Sequence, residues 1–345
     1  MREAFAIGGR EIQPGERATV NLPVANLYTA QPVTLPVQVL HGREPGPVMF
    51  VSAALHGDEI LGVEIIRRVL RMNTLESLRG TLLAVPVVNV MAFIHQSRYL
   101  PDRRDLNRTF PGSESGSLAA RLANLFLKEV VGRAAYGIDL HTGAVHRPNL
   151  PQIRADLKNP DTLKLAQAFG APLLLDSNPT PGTLREYTTR KNIPVLLYEA
   201  SEALRYDEIC IRIGVQGVLN VLHALEMLPP SITAPPRMLE PIVAHGSQWA
   251  RSPTSGILRV LVGLGDHVRR GQVIGVVGDP MGENEIHVLA PSDGVVIGRL
   301  QLPLVHEGDA LFHIARVDDP EAAARVVDRL REESNIWQAL EPRIV

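Results

Sequence analysis

The stretch Val48-Met49-Phe50-Val51-Ser52-Ala53-Ala54-Leu55-His56-Gly57-Asp58-Glu59 decides how this chain is read. Its first part is a continuous run of apolar and small residues, the pattern of a strand buried on both faces. Its last four residues put an imidazole and two carboxylates just past that strand. Ile60 to Met72 then carries Leu61, Ile65, Ile66, Val69 and Leu70 at helical spacing, which predicts a helix. The same strand-then-helix pattern recurs downstream. Strands are predicted over Thr81 to Val88, Tyr136 to His141 and Ile193 to Glu199. Helices are predicted over Ser117 to Val131, Asp161 to Phe169 and most of Tyr206 to Leu228. Ser117 suits the N-cap position of its helix, ahead of Leu118, Leu122, Leu125 and Phe126. Alternating strands and helices predict an α/β sheet, on which ligands gather outside the carboxyl ends of the strands. His56, His141 and Glu199 all fall at such ends.

Outward from this middle, the texture changes twice. Residues 1–45 read as a β segment of short strands and turns, with Gln13-Pro14-Gly15-Glu16 as a turn and Ala18-Thr19-Val20-Asn21-Leu22 alternating. Residues 46–228 form the predicted catalytic domain, and the proline-rich run 229–236 reads as a linker. Residues 237–317 hold short β-type runs punctuated by glycine, and 318–345 close the chain as a predicted helix. Within the C-terminal β region, Ser252-Pro253-Thr254-Ser255-Gly256-Ile257-Leu258 matches Ala290-Pro291-Ser292-Asp293-Gly294-Val295-Val296. Gly265-Asp266 and Gly308-Asp309 follow the two copies. Two such halves resemble the small lipoyl/biotinyl-like β barrel. No lysine follows Lys191, so no carrier lysine is available for biotin or lipoate.

Composition excludes several function classes. The hydrophobic fraction is 45% and the charged fraction 21%, values of an ordinary globular protein with a large core. A net charge of −2 leaves no basic footprint for nucleic acid. The longest apolar stretch, Leu82 to Phe93, is broken by Pro86 and Asn89 and is too short to span a bilayer. Met1 to Arg17 has no apolar signal core, so a cytoplasmic location is expected. Cys210, alone of its kind, excludes an intramolecular disulfide and reads as a small buried hydrophobe.

His56, Glu59 and His141 read together as three protein ligands for one zinc ion per chain. Two imidazoles and a carboxylate suit a borderline metal, and three protein ligands leave a fourth position open for water. Asp139 stands two residues before His141, where it either orients that ligand or serves the strand. Glu199 ends the apolar run Ile193-Pro194-Val195-Leu196-Leu197 and can reach in as a proton carrier.

His56-Gly57-Asp58-Glu59, Arg98-Tyr99, Asp105-Leu106-Asn107-Arg108, Asp139-Leu140-His141 and Tyr198-Glu199 occur in one order over residues 46–228. As a set they resemble the succinylglutamate desuccinylase/aspartoacylase family. The resemblance implies a zinc carboxypeptidase-like mixed sheet with flanking helices, plus the small C-terminal β barrel-like domain. It implies His56, Glu59 and His141 as zinc ligands, Glu199 as general base and Arg98 as the group polarising the scissile carbonyl. Asn107 and Arg108 would hold a substrate carboxylate, and Arg190 resembles a further family arginine near the substrate. His146 either touches substrate or caps a loop. The chain has no tyrosine after Tyr206, whereas the aspartoacylase branch places one in its site, and two extra residues separate Arg98 from Asn107-Arg108. The expected activity is therefore hydrolysis of a small N-acylated amino acid or related carboxylated amine, by zinc-activated water. A carboxypeptidase-like metallopeptidase and a non-catalytic metal-binding scaffold are the competing readings. Homo-oligomerisation is left open.

Overall fold

A computed structural model of the chain describes residues 2–230 and 241–318, together with 325, 326, 328, 329 and 332. Two short strands, β1 (Phe5–Ile7) and β2 (Arg10–Ile12), pair ahead of a long antiparallel hairpin, β3 (Arg17–Asn26) and β4 (Pro32–His41). Burial alternates residue by residue along β3, as it must when one face of a strand meets the core. The N-terminal segment is thus a longer hairpin than the short strands expected there.

The α/β part follows. β5 (Glu44–Ala53), α1 (Leu61–Val69), β6 (Arg79–Val85), α2 (Val90–Ile94), α3 (Leu118–Glu129) and β7 (Tyr136–Gly143) come first. β5 runs parallel to both β6 and β7, which encloses it and explains its unbroken apolar run. Ser117 caps α3 as expected, its hydroxyl accepting from the Ala120 amide. β8 (Asn149–Ala155), α4 (Pro160–Phe169), β9 (Leu173–Asp176), α5 (Leu184–Arg190), β10 (Val195–Glu202) and α6 (Glu208–Ala224) complete this part. β10 inserts between β7 and β8, parallel to the first and antiparallel to the second.

α1, α4 and α6 cover one face, where Ile65, Phe169, Tyr198, Val218 and Leu222 are buried together. α3 covers the other, where Leu122 and Phe126 are buried with Phe50 of β5 and with Leu35 and Val37 of the N-terminal hairpin. Each such side chain stabilises the fold by roughly 1.5–3 kcal/mol through burial. Cys210 is buried on α6, as its sequence context suggests.

The C-terminal β region comprises β11 (Ile242–Arg251), β12 (Gly256–Val260), β13 (His267–Val268), β14 (Val273–Gly278), β15 (Glu285–Leu289), β16 (Gly294–Arg299), β17 (Leu304–Val305) and β18 (Ala310–Val317). Its inner strands extend the central sheet, because β11 lies parallel to β9 and β16 touches β8. The resulting sheet has 12 strands in the order β13-β16-β18-β11-β9-β8-β10-β7-β5-β6-β4-β3. A second sheet, β15-β14-β12-β17, packs over its C-terminal end around Val268, Ile274, Val277, Leu311, Phe312 and Ile314. The two copies of the internal repeat start β12 and β16, one in each sheet. β12 pairs with β17 and β13 with β16, so each half lends a strand to the other.

Among the described residues no helix is long and apolar enough to cross a membrane. The proline-rich linker falls outside the described residues from 231 onward, as does most of the expected C-terminal helix. Residues 325, 326, 328, 329 and 332 are helical.

Candidate active site

Strand register puts the key side chains together. Ser52 of β5 stands opposite Asp139 of β7, and His141 of β7 opposite Glu199 of β10. Neighbours across a ladder project to the same face, so His141 and Glu199 share one side of the sheet. His56 reaches that side from the loop after β5, where Ala54 turns the chain through a left-handed backbone at φ +50. Gly57 lets this loop lie directly on the backbone of Ala92 in α2, where a Cβ would collide.

His56, Glu59 and His141 are all buried, and one ligand atom from each lies within 4.8 Å of the others. His56 Nδ1 is 2.6 Å from Glu59 Oε1 and His141 Nδ1 is 2.7 Å from Glu59 Oε2. The other nitrogen of each ring is committed to a carboxylate. His141 Nε2 lies 2.7 Å from Asp139 Oδ2, and Ser52 Oγ donates to Asp139 Oδ1 at 2.7 Å. His56 Nε2 lies 3.1 Å from Asp105 Oδ1. Carboxylates behind both imidazoles fix the rings and raise their basicity, the outer arrangement that histidine metal ligands use.

The electrostatics agree with that reading. Burial alone would lower the His141 imidazole, but Asp139 and Glu59 override it and push its affinity for a proton well up. Burial alone would raise Glu59, yet the facing His56 and His141 hold its carboxyl below the usual carboxylate range. Burial likewise opposes ionisation of Asp105, which His56 and Arg98 outweigh. A buried pocket of two imidazoles and three carboxylates thus favours a cation, and its donors suit zinc.

Arg98 bridges this cluster to the following loop. Its Nη1 is 3.3 Å from Glu59 Oε1, and its Nη2 donates to Asp105 Oδ2 at 3.0 Å. Asp105 also accepts from the Asn107 amide at 2.8 Å, which closes a short 3₁₀ turn over Leu106–Arg108. Asn107 Oδ1 accepts from the Leu184 amide at 3.0 Å and so spends its acceptor on α5. Asn107 and Arg108 line a cavity of about 420 Å³, with Arg108 Nη1 donating to the Asn107 carbonyl at 2.7 Å. The same cavity holds His56, Glu59, His141, Arg98 and Glu199.

The succinylglutamate desuccinylase/aspartoacylase catalytic domain matches residues 45–225, more than half of the chain. The chain belongs to this family. Among its relatives, an N-alpha-acetyl-L-2,4-diaminobutyric acid deacetylase from Halomonas elongata is 28% identical over 316 residues, covering 86% of this chain and 90% of the relative. A succinylglutamate desuccinylase/aspartoacylase structure from Rhodobacter sphaeroides is 25% identical and superposes with a TM-score of 0.78, over 88% of this chain and 95% of the other. The product-bound ectoine utilization protein EutE (DoeB) from Ruegeria pomeroyi has the same fold, with 22% identity, a TM-score of 0.78 and coverage of 87% and 95%.

Within this family member, seven of the nine expected site residues converge: His56, Glu59, Arg98, Asn107, Arg108, His141 and Glu199. Arg190 does not join them. It ends α5 with its side chain 78% exposed, paired with Glu186, outside the cavity lining. The cavity-lining arginine of α5 is Arg185, five residues and more than one helical turn earlier. Burial and the nearby Arg154 lower the Arg185 guanidinium to about 10. His146 is exposed at a left-handed turn outside the cavity lining, and its backbone carbonyl accepts from the Gln301 amide at 2.9 Å.

Other lining residues had no sequence signal. Asn149 Nδ2 donates to Glu199 Oε1 at 2.6 Å, and Arg154 Nε lies 2.9 Å from Glu199 Oε2. Trp249 and His313 arrive from the C-terminal β region and stack 4.5 Å apart at 4°. The β11–β18 register pairs these two residues, a long-range fact that no local pattern encodes. Asp105 was visible as part of its motif, but its hold on His56 needed the folded loop.

Proposed function

We propose that the protein is a zinc-dependent deacylase that hydrolyses the amide bond of a small N-acylated amino acid or related carboxylated amine. The observation that carries this reading is the His56–Glu59–His141 donor set, braced by Asp105 and Asp139, at the floor of a cavity shared with Glu199 and Arg108. The likeness to a deacetylase of an N-acetylated diamino acid supports it further. The same donor set and mixed sheet also fit a zinc carboxypeptidase-like ancestry.

His56, Glu59 and His141 would hold the zinc. When bound, zinc supplies a Lewis acid and brings the pKa of a water to about 7. Glu199 accepts the proton of the attacking water and returns it to the leaving amine. Arg98, fixed by Asp105, presents a guanidinium to the oxygen on which negative charge develops. Arg108 and the donor end of Asn107 hold the substrate carboxylate, which is charged before and during reaction. Charge that appears only in the transition state governs kcat, and charge present throughout governs KM.

The test is turnover of N-acyl amino acids and short peptides by the zinc-loaded protein. N-acyl amino acids should be cleaved in preference to peptides. Glu199→Gln should retain zinc and lose roughly two to four orders of magnitude in kcat. No turnover of any N-acyl amino acid, or near-normal kcat in Glu199→Gln, would sink the reading.

A further inference from the structure

We propose that Asn149, seated in a slot between the backbones of Gly143 and Gly298, is the positioning residue that fixes the orientation of the Glu199 carboxylate. The inference rests on the reading of Glu199 as the proton carrier. It extends the site to a residue at the foot of β8 and to a glycine of the C-terminal β region.

Asn149 is buried, and its amide donates to Glu199 Oε1 at 2.6 Å. Arg154 occupies the other oxygen, so the carboxylate is held at both ends by groups of different charge. The neutral amide positions the oxygen without adding a second cation beside it. Both ends of the Asn149 amide are confined in turn. A Cβ at Gly298 would lie 2.5 Å from Asn149 Oδ1, and a Cβ at Gly143 would lie 3.2 Å from its Nδ2. Only hydrogen at position 298 leaves the amide where it stands.

The slot is built across the sheet. Gly298 of β16 pairs with Asn149 of β8, and Asn149 also pairs with Ser201 of β10. Two flanking bonds hold the strands there: the Arg299 amide donates to the Pro148 carbonyl at 3.3 Å, and the Gln301 amide to that of His146 at 2.9 Å. Besides walling the cavity, the C-terminal β region therefore reaches the Glu199 carboxylate through a short path, Gly298 to Asn149 to Glu199. A base that must collect a proton and deliver it elsewhere depends on such alignment, because misplacement by about 1 Å costs as much as 100-fold in rate.

The experiment measures kcat, KM and zinc content of the zinc-loaded full chain for Asn149→Ala and Gly298→Ala, each alone and combined with Glu199→Gln. Either substitution alone should lower kcat by roughly ten- to a hundredfold with KM within about twofold and zinc retained. In the Glu199→Gln background the same changes should cost less than about twofold, since Asn149 acts only through that carboxylate. Equal losses in both backgrounds, or unchanged kcat in the single variants, would overturn the proposal. If Asn149→Ala folds poorly, Gly298→Ala with melting temperature and zinc unchanged decides the matter by the same comparison. Near-normal kcat for Glu199→Gln alone is a different failure, which removes the base assignment and this inference with it.

Discussion

His141 illustrates how a candidate ligand is prepared by what stands behind it. One ring nitrogen faces Glu59 and the other is held by Asp139, itself held by the Ser52 hydroxyl. The chain Ser52–Asp139–His141 selects the tautomer and ring orientation, so a metal bound as proposed would meet a preset lone pair. Asp139→Ala should leave the fold intact and weaken zinc binding by roughly 10- to 100-fold. Competition with a chelator of known affinity measures this directly, and an unchanged affinity would show that Asp139 serves only the strand. Arg190 and Arg185 make the complementary point. The two lie on the same short helix, yet Arg190 is exposed beside Glu186 while Arg185 is half-buried and lines the cavity. A similarity of local sequence cannot separate them, because helix phase against the sheet decides which one turns inward.

At the scale of elements, β10 shows the period of a strand serving two purposes. Tyr198 points into the α6 side and donates to the Cys210 carbonyl at 2.8 Å, while Glu199 next to it points to the cavity. The turn after β5 is equally determined by packing. Gly57 sits against the backbone of Ala92 and Phe93 in α2, leaving no volume for a side chain. Gly57→Ala should therefore displace the His56–Glu59 loop from α2, with a destabilisation of roughly 1–3 kcal/mol from overpacking. Thermal unfolding and zinc retention should both fall, and an unchanged melting temperature would show that the α2 backbone yields freely.

At the scale of the whole molecule, the C-terminal β region is a continuation of the catalytic sheet that also walls the cavity. His313 of β18 is buried against Trp249, with Nε2 bonded to Ser247 Oγ at 2.7 Å. Burial, and then the nearby Arg154, depress the His313 imidazole to about 3. A histidine lowered in the folded state is protonated first in the unfolded chain. Its contribution is complete above the ordinary value of 6.5 and is lost as the pH falls from there toward 3. Acidification to pH 4 should cost up to roughly 3 kcal/mol through this group. Denaturant unfolding of wild type and His313→Phe from pH 7 to 4 checks it. The variant, which keeps a stacking ring but cannot titrate, should show the flatter profile, and parallel profiles would contradict the assignment.

Local order in the sequence was enough for the α/β alternation, the Ser117 cap, the grouping of His56, Glu59 and His141 and the motif Asp105-Leu106-Asn107-Arg108. Those features depend on residues near one another in the chain, on period-2 and period-3.6 patterning and on donor chemistry at strand ends. The family resemblance added Arg98 and Glu199 as partners of the trio, and both line the cavity with it. Tertiary structure alone decided the rest. The hold of Asp105 on His56, the clamp of Asn149 and Arg154 on Glu199, the choice of Arg185 over Arg190 and the wall of Trp249 and His313 all depend on how segments distant in the chain pack together. Strand pairing links Asn149 to Gly298 and Trp249 to His313. Contacts at that separation arise from the closing of the sheet, and no segment of the chain carries them by itself.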